Sequence, residues 1–439
     1  MTKHYPEHRQ AEDLAAQLLD LAARAGAERA EVYHSQALSR PVFFEANRLK
    51  QLEISESEGT ALRIWRSGCP GLAVAYGQVD LQALVEKAIA LSHLTTPETP
   101  EMVEGETHIF PDLGEEMAVE ELVKLGRDAI AHLRERYPEV LCGAELECER
   151  ETTTLINSRG LYCQYTDITL SCFLGAEWVR GEDFLGIYES QEIRGQLNLV
   201  PMVRSMLTRL DWAARNTKSL SGRIPILFTN NAAPLLWETV SEALSGKLIA
   251  EGASPWTERQ DESVIADCLT LRQKPTEGPY SCPFDDEGTL TQSFALIEGG
   301  KMKQAYCDRA TGRLLGIPST GNGFRPSLGR YPTPELINLA IDPGRGSLEN
   351  LIASIDRGIL VDRVLGDGAD ISGDFSVNID LGYRIENGAI VGRVKDTMVA
   401  GNVYTALKQV IALGGDAVWN SACYTPSILV SGLSVVGGS

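Results

Sequence analysis

Histidine is confined to one end of this 439-residue chain: His4, His8, His34, His93, His108 and His132 are the full set, and none follows. Everything beyond residue 132 therefore lacks an imidazole with which to ligate a transition metal or relay a proton near neutral pH. The last four fall on predicted strands, connections or helices with no ligand spacing between them. Basic charge is also short. Against 60 Asp and Glu stand 40 Lys and Arg, a net charge of −20, with no long basic run. A surface that neutralises phosphates needs a local excess of cations, so nucleic acid is not expected as a direct partner. Long hydrophobic runs are missing too. No stretch of about 18 apolar residues is present, which excludes a membrane-spanning helix. The N-terminus, MTKHYPEHRQAEDLAAQ, has no apolar signal core, and a cytoplasmic location is expected. The nine cysteines are scattered, odd in number and without a C-x-x-C pair. They read as small buried residues of a reducing compartment rather than a disulfide or zinc framework.

What is present is an ordinary globular mixture, 43% hydrophobic and 23% charged, too long for one small core. Two domains are predicted, 1–217 and 218–439, with the boundary near Lys218–Gly222. Helical spacing of Leu14, Ala15, Leu18, Leu19, Leu21 and Ala22 predicts a helix over 10–26, ended by Gly26. Strand-like runs follow (AEVYHSQAL, PVFFEA, LKQLEISE, TALRIWR, GLAVAYG), then a helix over 80–93 with Asp80 as its N-cap. The Pro-, Thr- and Glu-rich stretch 94–117 reads as an exposed connection. A second set comprises a helix over 118–136, strands at 140–150 and 152–157, a hairpin turn at Asn157-Ser158-Arg159-Gly160, a further strand run, and a helix over 198–216. After residue 222 the texture turns β-rich, with the strand RIPILFTN running into a helix at 231–246. The fold class is α+β: a helix-plus-sheet domain, then a β-rich domain of mixed or barrel-like sheets.

Short motifs punctuate the second half: Asp285-Asp286-Glu287-Gly288, Leu296-Ile297-Glu298-Gly299-Gly300, Ser319-Thr320-Gly321-Asn322-Gly323, Gly373-Asp374-Phe375-Ser376, Gly382-Tyr383-Arg384-Ile385-Glu386-Asn387-Gly388, and Val394-Lys395 leading to Ala400-Gly401-Asn402. Through them, in this order, the chain resembles the TldD/PmbA family, also called modulators of DNA gyrase. The resemblance implies a two-domain subunit that dimerises around a peptide-sized cavity. In the TldD branch it implies a zinc-type metal held by a helical His-Glu-x-x-x-His and a later Cys. Two imidazoles hold the metal, and the Glu takes a proton from the metal-bound water as it attacks an amide. On the 231–246 helix this chain has Trp237 and Glu242 at the two His positions and keeps only Glu238. It thus resembles the PmbA (TldE) branch, which lacks the motif and pairs with a TldD-type subunit.

Each candidate carries a plainer alternative. Glu238 and Glu242, four apart on one helix face, read as a residual carboxylate site or as two solvated carboxylates. Trp237 reads as a cleft wall or as packing beside Leu235, Leu236 and Val240. The 285–288 cluster is an ion site or a polar turn, and Gly366-Asp367-Gly368-Ala369-Asp370 is a turn. Asn322, Arg325 and Arg330 are substrate-binding candidates, since Arg forks suit a peptide carboxylate, or parts of a glycine loop needing positive φ. Cys423 lies where active relatives place a ligating Cys, or is structural. No cofactor is expected in this chain, and zinc is implied for a TldD-type partner. The expected function is a non-catalytic subunit, as homodimer or heterodimer, of a metalloprotease assembly acting on unfolded peptides. The alternatives are a stand-alone peptidase with a non-standard site, and a non-proteolytic binder linked to DNA gyrase or toxin–antitoxin systems.

Overall fold

The computed structural model describes residues 6–366 and 368–438; His4 and Asp367 lie outside the described residues, and so does the side chain of His8. Among the described residues the first half builds an eight-stranded sheet. Its main path runs Cys69–Tyr76, Ser55–Arg66, Arg29–Glu45, Leu141–Asn157, Tyr162–Arg180, all antiparallel. Period-2 burial sets its faces. On Leu141–Asn157, Cys142, Ala144, Leu146 and Cys148 turn into the core while Glu145 and Glu149 stay outside. Four helices cover the apolar face: Pro6–Arg24 and Leu81–Ser92 over one end, Val119–Arg136 and Val200–Trp212 over the other. Asp80 caps its helix as expected, accepting from the Ala83 N–H at 3.0 Å.

Three local expectations are corrected. The runs AEVYHSQAL and PVFFEA form one strand, Arg29–Glu45. Pro41 is tolerated because the Ser55–Arg66 pairing stops at Ser39, so no ladder bond on that side needs its missing N–H. Likewise 140–150 and 152–157 are one strand, Leu141–Asn157. The 94–117 connection is partly packed: Met102 is buried, and Thr107–Ile109 pairs parallel with Tyr162–Gln164.

In the second half the strand Gly222–Phe228 lies between Arg357–Leu365 (parallel) and Ile428–Gly437 (antiparallel). Ile428–Gly437 pairs with Thr397–Asn402, which pairs with Asp374–Glu386, which returns to Arg357–Leu365. The ring closes into the barrel that the sequence suggested, and closure leaves these strands without an unpaired edge. A second, six-stranded sheet includes Leu271–Gln273, Leu339–Ile341 and Cys423–Thr425.

Alternation along the barrel strands decides how the halves meet. Ile226, Phe228, Val361 and Val430 point to the side that holds the Pro234–Ala243 helix, whereas Leu227, Leu360, Tyr383 and Leu429 point the other way. The second set packs into one core with Met206 and Leu210 of the Val200–Trp212 helix and Leu146 and Leu174 of the first sheet. A buried ion pair pins this seam, Arg209 to Asp362 at 2.7 and 2.9 Å, with Glu189 on the other side of the guanidinium at 2.9 Å. No helix among the described residues is long and apolar enough to cross a membrane.

Candidate functional site

The Pro234–Ala243 helix starts just past the barrel strand, with Pro234 in its first turn, where a missing N–H costs nothing. Leu235, Leu236, Trp237, Thr239, Val240 and Ala243 are buried. Glu238 and Glu242 alone of its long side chains stay exposed, forming a carboxylate stripe at i, i+4. The helix runs only from Pro234 to Ala243, shorter at both ends than the predicted 231–246, and a separate short helix, Gly246–Ala250, follows.

Trp237 is core, 1% exposed. Its indole N–H donates to the Thr425 hydroxyl at 2.7 Å. Thr425 is fully buried on the strand Cys423–Thr425. The helix is thereby tied by a hydrogen bond to the strand that carries Cys423. Burial, and then the negative field of Glu238, push the Cys423 thiol up to about 12. A thiol held protonated at neutral pH is a poor nucleophile. Burial and the charge of Glu242 also raise the Glu238 carboxyl. These residues do not fit zinc: two carboxylates and a protonated thiol, with no imidazole in this half of the chain. Among the described residues no group of three His, Cys, Asp or Glu is placed to hold a metal ion. The reactivity expectation is direct. Iodoacetamide at neutral pH should label exposed Cys268 well before Cys423, read by peptide mass mapping; preferential labelling of Cys423 would contradict this picture.

The other sequence candidates separate. The Asp285 carboxylate, wholly buried, accepts from the backbone N–H groups of Glu287 (3.0 Å), Thr289 (2.8 Å) and Gly323 (2.9 Å). Asp286 accepts from the Arg325 N–H at 2.7 Å and Glu287 from the Arg309 N–H at 2.8 Å. The cluster is a buried turn that clamps two neighbouring segments. Asn322, expected at the substrate, is fully buried: its amide donates to Gln273 and to the Glu335 carbonyl, both at 2.6 Å, and accepts from Thr320 at 2.7 Å. Its hydrogen-bonding capacity is taken up by the fold. The Arg325 guanidinium pairs with Glu31 at 2.9 Å, and Glu31 also holds Arg63 at 3.0 Å, all three side chains nearly sealed from solvent. This ion network joins the two halves and was not legible in sequence, its ends lying 294 positions apart. Arg330 remains exposed. Gly321 does need positive φ (+73°), and a Cβ there would meet the Leu290 carbonyl at 2.5 Å, as the glycine-loop alternative requires.

Burial of this seam has a pH signature. It raises Asp286 from 3.8 to about 6 and Glu287 from 4.5 to about 7, while Glu151, buried and crowded by Glu149 and Asp167, also rises to about 7. A carboxyl with a raised folded-state pKa binds protons that the unfolded chain has released, so its contribution to stability falls as pH rises from about 4 to about 7. Buried His34, whose pKa is lowered by burial, acts in the opposite sense but is a single group. Melting temperature should therefore fall from about pH 5 to about pH 8, and Glu287→Gln should flatten the slope. A melting temperature that rises across this window would contradict the assignment.

The site is thus a helix-borne carboxylate pair beside a buried indole and the Cys423 thiol, set against a closed barrel. Comparison with known proteins identifies the class. Residues 221–437 match the PmbA/TldA metallopeptidase C-terminal domain and residues 30–92 the PmbA/TldA metallopeptidase domain 1. The chain belongs to the PmbA/TldD family. It is 32% identical over 203 residues to a metalloprotease TldD homolog of Buchnera aphidicola, covering 45% of this chain and 42% of that one. It is 28% identical over 227 residues to a metalloprotease PmbA homolog of Haemophilus influenzae, covering 51% and 48%. The chain spans a little under half the length of these curated relatives. Its fold is that of TldE from Thermococcus kodakarensis, with a TM-score of 0.87 over 97% of this chain and 100% of the other, at 22% identity.

Proposed function

We propose that this chain is a PmbA/TldE-like subunit of a TldD/TldE-type metalloprotease assembly, contributing cavity wall and peptide contacts but not the hydrolytic centre. The observation that carries the reading is Trp237. An indole buried at 1% exposure and bonded to Thr425 stands at the first His position of the family's metal helix. The metal that cuts the amide would be the zinc of a partner subunit with an intact His-Glu-x-x-x-His, and the substrate an unfolded peptide or small protein. The chain would work as a heterodimer with that paralogue, the alternative being a homodimer, in the cytoplasm. A stand-alone peptidase using Cys423 is disfavoured by a thiol held protonated beside Glu238.

The test is co-purification. Tagged chain expressed from its own genome should bring down a paralogue carrying both histidines, and zinc with peptide cleavage should appear only in that mixed sample. Recovery of the tagged chain as a homodimer with full activity would overturn the proposal.

A further inference from the structure

We propose that the cleft beside the Gly246–Ala250 helix binds one bulky apolar side chain of an extended, uncharged peptide segment. The proposal rests on the peptide-handling role above and names the residue class that role would select. A half-enclosed cavity of about 520 Å³ opens between the 256–260 loop, the 302–305 segment and the 315–320 loop. That is within the size of small-ligand sites, about 300–1,000 Å³. Trp256, Met302 and Ala305 line it and are themselves buried, and Ile249, Leu315 and Ile317 add further apolar lining. Ile317 is 40% exposed, so apolar surface is left bare at the mouth.

Three primary amides, those of Gln260, Gln292 and Gln304, also line the cleft. None of these side-chain amides bonds to another described residue. Each offers a donor and an acceptor, so together they suit the N–H and C=O groups of a passing peptide backbone and select neither sign of charge. The lining carries one residue of each charge, Glu258 and Arg259, and Arg259 is already paired with Glu262 at 2.7 Å. A peptide segment carrying one apolar side chain suits the apolar floor and the three amides, and the Glu258 carboxylate disfavours an acidic residue there. The wall is also preset: the Thr320 hydroxyl donates to Asn322 at 2.7 Å and accepts from the Cys307 N–H at 2.7 Å. The SerThrGlyAsnGly loop thus serves the cleft through Ser319 and Thr320, not through Asn322.

The cleft lies close to the former metal helix. Trp256 meets Tyr404 edge to face, ring centroids 5.5 Å apart. Tyr404 in turn lies in the field of Glu242, which with burial pushes its phenol up to about 12.

The test is fluorescence anisotropy on the full chain with fluorescein-labelled Gly-Ser-Gly-X-Gly-Ser-Gly amides, where X is Leu, Gly or Asp. The Leu probe should bind roughly 30-fold tighter than the Gly probe, the gain expected from burying one leucine side chain, with Asp weakest. Ile317→Glu should abolish the preference without changing the melting temperature, because the residue is part-exposed. Leu314→Glu, outside the lining, should leave it intact. Equal binding of the three probes, or an undiminished Leu preference in Ile317→Glu, overturns the pocket. The paralogue pull-down runs on the same preparations. A chain that captures the paralogue but binds all probes alike overturns the pocket alone. A chain that prefers the Leu probe but captures no paralogue overturns the subunit reading alone.

Discussion

Trp237→Ala should destabilise the chain by about 3–5 kcal/mol, the range for removing a large buried aromatic. The side chain is 1% exposed in the core that also holds Phe228, Val361 and Val430. Its loss leaves a cavity, and it also strips the Thr425 hydroxyl, 0% exposed, of the N–H it accepts from. Trp237→Phe separates the two effects. It retains most of the volume and loses only the bond, so its cost should be about 1–2 kcal/mol. Urea denaturation midpoints of the two variants measure the difference. If Trp237→Ala were neutral, the indole would be lining a cleft rather than sealing a core, and the helix would be open to a ligand after all.

Arg209→Ala should be comparably severe, on the order of 3–5 kcal/mol, for an electrostatic reason. The guanidinium lies between Glu189 and Asp362; burial alone would lower its pKa, but the attraction of both carboxylates outweighs that and raises it. Removing it leaves two desolvated carboxylates facing each other at the junction of the halves. Asp362→Asn should cost less, because Glu189 still balances Arg209 and the amide oxygen still accepts from Thr229, a contact now at 2.8 Å. The order, Arg209→Ala worse than Asp362→Asn, is the diagnostic outcome in equilibrium denaturation. The reverse order would mean that the pair is better solvated than its burial indicates.

Local pattern carried much of the architecture. Asp80 capped its helix, the Asn157-Ser158-Arg159-Gly160 turn joined two strands, and the apolar run RIPILFTN supplied a barrel strand buried on both faces. The neighbouring leucines and Val240 made packing one of two readings for Trp237, and its burial at 1% exposure is the packed one. Long-range partnerships were the part that sequence could not show. Arg325 looked like a free peptide-binding fork until Glu31, from the first sheet, took it up. Asn322 looked like a loop residue reaching outward until Gln273 and the Glu335 carbonyl enclosed it. The apolar cleft is assembled from the 256–260, 302–305 and 315–320 segments, none periodic enough to announce a shared surface. A charge or amide in a sequence advertises bonding capacity; only the fold says whether that capacity is already satisfied.

In the proposed assembly this chain works beside a catalytic partner. That arrangement is tested most directly by metal content and peptide cleavage of the purified chain alone, supplied with zinc and an unstructured peptide. Substoichiometric zinc and no cleavage are expected, unchanged in Glu238→Ala. One tightly held zinc per chain, with cleavage abolished by Glu238→Ala, would contradict it.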